Sequence, residues 1–178
     1  MTLPEKIVAL HEALDRARVP HAFGGALALA WCTERARGTI DVDVNLFVRP
    51  EQATAVLQAL PPGVVWTGDD AARIGRDGQA RLWWDATPVD LFFSTTDFHD
   101  RIASRIRNEP FLGVDIPFLA CRDLAVFKAF FDRTRDWADL EEMAAAGSLD
   151  VEAVLGVLAN YLGGDDPRVE RLRTLGPR

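Results

Sequence analysis

From Thr39 to Leu46 the chain alternates polar and apolar residues without a break: Thr39-Ile40-Asp41-Val42-Asp43-Val44-Asn45-Leu46, followed by Phe47-Val48. A period of two is the mark of a half-buried β-strand and is incompatible with a helical stripe. The pattern predicts Ile40, Val42, Val44 and Leu46 on the core face, with Asp41, Asp43 and Asn45 on the other. Residues two apart on a strand are separated by roughly 6.6 Å. Two carboxylates so placed reach one divalent cation, or two cations about 3.5–4 Å apart. Aspartate is disfavoured in strands, and two on one face repel unless a cation lies between them. The competing reading is a solvent-facing strand edge.

Composition narrows the class of protein. The 178 residues suit one domain, or a domain with a small appendage, and 48% hydrophobic with 26% charged residues is ordinary for a globular chain. A net charge of −7 supplies no overall attraction for nucleic acid. The N-terminus lacks the apolar stretch of a signal peptide, and no run reaches membrane-spanning length. Cys32 and Cys121 are few and distant in sequence, so a reduced, cytoplasmic protein with two buried thiols is expected. His11, His21 and His99 have no zinc-ligand spacing.

Along the chain, residues 3–18 carry a helical apolar stripe closed by Pro20, and His21-Ala22-Phe23 leads as a short strand into Gly24-Gly25. The apolar run 26–31 predicts a buried helix directly after the glycines. A helix opened by Pro50 follows the aspartate strand. Strands are expected over 79–84 and 88–94, joined by Asp85-Ala86-Thr87, then a short helix over 97–106 and an extended segment over 110–119. From Cys121 on, the pattern is helical. The fold class expected is α/β: a small mixed sheet with flanking helices over 1–119, and a helical part over 120–178 packed on it as a single compact unit.

Three places bear chemistry. Gly24-Gly25 stands at a strand-to-helix junction, where bare backbone and a helix N-terminus suit phosphate; a plain turn is the alternative. Asp90 lies in the otherwise apolar Pro88-Val89-Asp90-Leu91-Phe92-Phe93 and is costly to bury unless paired or metal-bound; a charge that guards an edge strand is the alternative. If its strand lies beside the first, Asp90 joins Asp41 and Asp43. Three carboxylates around two Mg²⁺ would clamp a triphosphate, with Asp90 as general base. Lys128, Asp132, Arg135 and Asp139 follow a four-three-four spacing that also fits an exposed, salt-bridged helix face. Arg37 offers a bidentate phosphate contact, and Thr39 either bonds a neighbouring carboxylate or favours the strand. The basic stretches 101–107 and 168–178 read as solvated helix faces or as RNA grips, and Trp31, Trp66, Trp137 and one of Trp83-Trp84 as core.

Phe23-Gly24-Gly25, Arg37-Gly38-Thr39-Ile40-Asp41-Val42-Asp43 and Val89-Asp90-Leu91 together resemble the signature of the DNA polymerase β-like nucleotidyltransferases. The Arg-x-Thr-x-Asp-x-Asp form, with Lys128, the later Arg135-Asp136 and the further Asp139, is similar to the AbiEii-type toxin branch. The resemblance covers roughly residues 20–142. It implies Mg²⁺ on Asp41, Asp43 and Asp90, and an NTP whose phosphates meet Gly24, Gly25, Arg37, Thr39 and Lys128. It also implies an orienting role for Asp136. Many relatives carry Ser where this chain has Gly25, which removes a hydroxyl from the phosphate contact. The implied activity moves NMP from an NTP to an acceptor hydroxyl. A tRNA 3′ end, a protein side chain and an aminoglycoside-like small molecule stand as acceptors, with a cognate antitoxin as partner in the toxin case. The alternative is a non-catalytic nucleotide- or partner-binding module of the same fold.

Overall fold

The computed structural model describes residues 1–176; the end of the basic stretch 168–178 lies outside the described residues. By contact density the chain divides into two units. Residues 1–27 with 38–119 form the first, and residues 28–37 with those from 120 onward form the second.

The first unit opens with α1 (Leu3–Arg16). A Thr2–Glu5 capping box satisfies its first amides, and Ile7, Leu10 and Leu14 are fully buried at helical spacing. Then come β1 (His21–Phe23), the start of α2 (Gly25–Thr33) and β2 (Val42–Leu46). A 3₁₀ turn (Pro50–Gln52) leads into α3 (Ala53–Ala59), β3 (Val64–Val65) and α4 (Gly68–Asp77). The unit is completed by β4 (Gln79–Trp84), β5 (Thr87–Phe93), α5 (Asp97–Ile102), β6 (Arg107–Phe111) and β7 (Val114–Phe118).

The seven strands make one mixed sheet in the order β3-β4-β5-β2-β1-β7-β6. Its central pairings, β2 with β5 and β1 with β7, are parallel, while β1 and β2 run antiparallel. Val42, Val44, Leu46, Val89, Leu91 and Phe93 are buried, as the period of two requires. The sheet therefore sets the aspartate strand at its middle.

Ile40 departs from the sequence expectation. It is 76% exposed because pairing begins only at Val42, so the alternation runs ahead of the strand. Asn45, expected on an open face, is buried beneath Gly24. Trp84 is core and Trp83 half exposed, as two successive strand residues must be. Trp137 is core, whereas Trp31 and Trp66 keep intermediate exposure.

The second unit contains the remainder of α2 and the helices α6 (Cys121–Phe131), α7 (Thr134–Ala145), α8 (Val151–Leu162) and α9 (Pro167–Arg173). Leu124, Val126, Trp137, Leu140, Val154 and Leu158 are among its buried residues. Asp132 ends α6 in the left-handed region (φ 57°) and accepts the Trp137 indole N–H at 2.6 Å. The stretch from Lys128 to Asp139 is thus two helices and not one exposed face.

Cys32 and Cys121 form a disulfide with Cα atoms 5.5 Å apart, which overturns the expectation of two free thiols. Their separation of 89 residues in sequence sets no lower bound on distance in space, and the fold brings the end of α2 to the first residue of α6. Among the described residues, no helix is long and apolar enough to cross a membrane.

Candidate functional site

The first unit gathers Gly24, Gly25, Asp41, Asp43 and Asp90. Parallel pairing of β2 with β5 sets Asp43 directly opposite Asp90, so both side chains stand on one face of the sheet on neighbouring strands. Asp41 lies two residues earlier, just ahead of β2. Thr39 folds back on it: its hydroxyl donates to a carboxylate oxygen of Asp41 and receives the Asp41 amide at 3.3 Å. Of the two roles weighed for Thr39, the structure shows the carboxylate bond.

The glycine pair meets this face. Gly24 N–H donates to the Asp43 carbonyl at 2.9 Å, which locks the end of β1 to β2. A Cβ on Gly24 would stand 2.7 Å from the Asn45 amide nitrogen. Gly25 has φ +53° and begins α2, and a Cβ there would run into the Asp43 carboxylate. A serine at this position would need the Asp43 carboxylate to turn aside. The carboxylate lies instead against the start of the helix, where the partial positive charge favours anions.

Arg81 was not anticipated. Antiparallel pairing of β4 with β5 sets it opposite Asp90 on the other side from Asp43. Its Nε and Nη2 donate to the two Asp90 oxygens at 2.7 and 2.6 Å. These bonds, and then the Asp90 charge, push its acidity further beyond reach, with smaller contributions from Asp41 and Asp43. Among the described residues, no three His, Cys, Asp or Glu side chains converge as a ready metal cage. Asp90 is turned to Arg81 and Asp41 to Thr39. The donor set itself, Asp41 just ahead of β2, Asp43 at its start and Asp90 in the middle of the neighbouring β5, has the hard-oxygen chemistry of an Mg²⁺ site.

The second unit gathers the other predicted residues. Lys128 is buried and donates to Asp139 at 2.5 Å, with Asp136 at 3.9 Å. Arg37 donates from its two terminal nitrogens to the same Asp139 at 2.5 and 3.4 Å. Burial alone would raise the Asp139 carboxyl, but the bonds from Arg37 and Lys128 outweigh it and hold the group below the usual range. Asp136 is 1% exposed and accepts from the Arg133 guanidinium at 2.6 and 3.1 Å. The signature residues of this part are thus joined in one buried charge network centred on Asp139, a residue that the sequence reading placed both in the signature and on an exposed face, without a role of its own.

The antibiotic-resistance factor ANT(2'')-Ia is similar over 89% of this chain and 90% of its own, with a TM-score of 0.59 at 14% identity. The chain has the nucleotidyltransferase fold. An antigenic nucleotidyltransferase-like protein from Paracoccidioides brasiliensis is similar over 96% of this chain and 92% of its own (TM-score 0.54, 14% identity). The lincosamide antibiotic adenylyltransferase LnuA, solved with lincomycin bound, is similar over 80% and 96% (TM-score 0.54, 10% identity). No protein-family model and no curated protein matches the chain. In this fold Gly24-Gly25 meets Asp43, and Asp43 stands opposite Asp90 on the parallel β2–β5 pair.

Proposed function

We propose that the chain transfers a nucleotidyl group from an NTP to an acceptor hydroxyl. The observation that carries this reading is the register of Asp43 with Asp90 on adjacent parallel strands, with Gly25 at a helix start against Asp43. Asp41, Asp43 and Asp90 would hold Mg²⁺, which supplies charge neutralisation for the triphosphate and for the leaving pyrophosphate. The α2 N-terminus at Gly24-Gly25 offers backbone N–H groups to the phosphates. Asp90, once released from Arg81, takes the proton of the acceptor hydroxyl as its oxygen bonds to the α-phosphorus. The bond from the α-phosphorus to the bridging oxygen then breaks, and pyrophosphate departs with those electrons. Lys128 and Asp136 enter this reading as members of the Asp139 network of the second unit.

The acceptor favoured is a small-molecule hydroxyl. A net charge of −7 disfavours a polyanionic acceptor, and solved structures of this fold include an aminoglycoside complex of ANT(2'')-Ia and LnuA with lincomycin. A second reading takes a tRNA 3′ end as acceptor, in the manner of an AbiEii-type toxin with an antitoxin partner. It is supported by the Arg37-x-Thr39-x-Asp41-x-Asp43 run together with the Lys128–Asp139–Asp136 network.

The test follows label from each α-³²P-NTP with Mg²⁺ into an aminoglycoside and lincosamide panel, total tRNA and cell protein. Wild type is run beside Asp41→Asn/Asp43→Asn. Label entering a small molecule, reduced by at least about 100-fold in the double variant, is the expected result. Label in tRNA would select the second reading. Absence of both transfer and Mg²⁺-dependent NTP binding would overturn nucleotidyl transfer.

A further inference from the structure

Asp43, Asp90 and Arg81 form a row across three adjacent strands, two anions and then a cation, all on one face. The guanidinium takes both Asp90 oxygens fork to fork, at 2.7 and 2.6 Å. This is the bidentate geometry in which an arginine–carboxylate pair is strongest. Asp90 retains only 14% of its side-chain exposure, whereas Arg81 keeps 53% and so has solvent to move into. A divalent cation that draws Asp90 toward Asp43 must therefore contend with Arg81 for the same oxygens and against the same positive charge.

We propose that Arg81 is the resident counter-cation of this carboxylate face, a positioning residue that holds Asp90 until a divalent ion displaces it. The proposal rests on the nucleotidyltransferase reading. Without the metal, Arg81 offsets the repulsion among Asp41, Asp43 and Asp90 and keeps Asp90 turned away from Asp43. With the metal, the guanidinium leaves Asp90 and remains at the rim of the face on its exposed stem. Arg81 thereby sets the metal concentration at which Asp90 becomes available.

The experiment titrates Mn²⁺ against the full chain by electron paramagnetic resonance, in wild type, Arg81→Met, Arg81→Lys and Asp41→Asn/Asp43→Asn. Removing one positive charge roughly 6 Å from a divalent ion, in nearly bulk dielectric, tightens binding about tenfold. Arg81→Met is expected to show that gain, and Arg81→Lys, which keeps the charge but loses the fork, a smaller one. An arginine that served only to stabilise the hairpin would give no gain in Mn²⁺ affinity on removal. Mn²⁺ binding unchanged or weaker in Arg81→Met, with wild-type binding still dependent on Asp41 and Asp43, overturns the role of Arg81 and leaves the nucleotidyltransferase reading standing. Absence of Mn²⁺ binding in both wild type and Arg81→Met, or binding indifferent to the double asparagine variant, overturns both together.

Discussion

Alanine at Gly25 tests whether the bare backbone at the start of α2 exists to make room for Asp43. Two costs add there. The residue sits at φ +53°, where a non-glycine residue loses about 1 kcal/mol. Its Cβ would also run into the Asp43 carboxylate, which must then turn to an unfavourable rotamer at about 1 kcal/mol more. Gly147 provides the control. It has φ +73° and nothing within 4 Å of a Cβ, so Gly147→Ala bears the backbone cost alone. Urea unfolding is therefore expected to place Gly25→Ala about 2 kcal/mol below wild type and Gly147→Ala about 1 kcal/mol below, each partly offset by a stiffer unfolded chain. Function should separate the two more sharply. Displacing Asp43 removes a carboxylate from the proposed metal face, so Mn²⁺ affinity should fall at least about tenfold in Gly25→Ala and not at all in Gly147→Ala. Equal unfolding curves and intact Mn²⁺ binding in Gly25→Ala would refute the claim that Asp43 is held in place by the missing side chain.

Reduction of the Cys32–Cys121 bond, or Cys32→Ser/Cys121→Ser, releases a closure spanning 89 residues, and chain entropy sets the loss at about 4.6 kcal/mol; a urea midpoint indifferent to reductant would contradict this. Burial drives the His99 imidazole down to about 4, so the folded chain takes up that proton well below the unfolded value near 6.5. The unfolded state binds more protons across that window. The stability His99 contributes is therefore complete above about pH 6.5 and is lost as pH falls toward 4, on the order of 3 kcal/mol at most. His99→Gln should flatten the stability profile between those pH values, as followed by thermal unfolding, and an unchanged slope would assign the acid sensitivity elsewhere.

Much of the site could be read from the sequence because the carboxylates lie on strands, where a period of two reports the face directly. The alternation Val42-Asp43-Val44 placed Asp43 correctly, and the apolar neighbours of Asp90 marked it as anomalous. Misreadings arose where local pattern and pairing part. Ile40 continues the alternation beyond the last paired residue. The strand β3 has two residues, too few for any pattern, and α4 buries only Ile74 among ten residues that include two glycines, so its stripe is too thin to notice. The break between α6 and α7 rests on an aspartate in the left-handed region, with no glycine or proline to announce it. A disulfide between distant cysteines depends on the whole chain path and has no local signal.

Arg81 is the instructive omission, because its partner was within reach of strand counting. A three-residue connection, Asp85-Ala86-Thr87, pairs Trp84 with Pro88 and sets Asp90 opposite Leu82. The structure turns on Asp85-Ala86 alone, with Asp85 at φ 53°, and Trp84 pairs with Thr87. One residue of slip decides everything on the face. In the shorter turn Leu82 meets Val89, Ala80 meets Leu91 and Arg81 meets Asp90, so every central pair is matched in polarity. In the longer one a carboxylate faces leucine. Cross-strand pairing energies favour the first arrangement at each of these positions, so register, and with it the cation beside the third carboxylate, follows from requiring polarity to match across the hairpin.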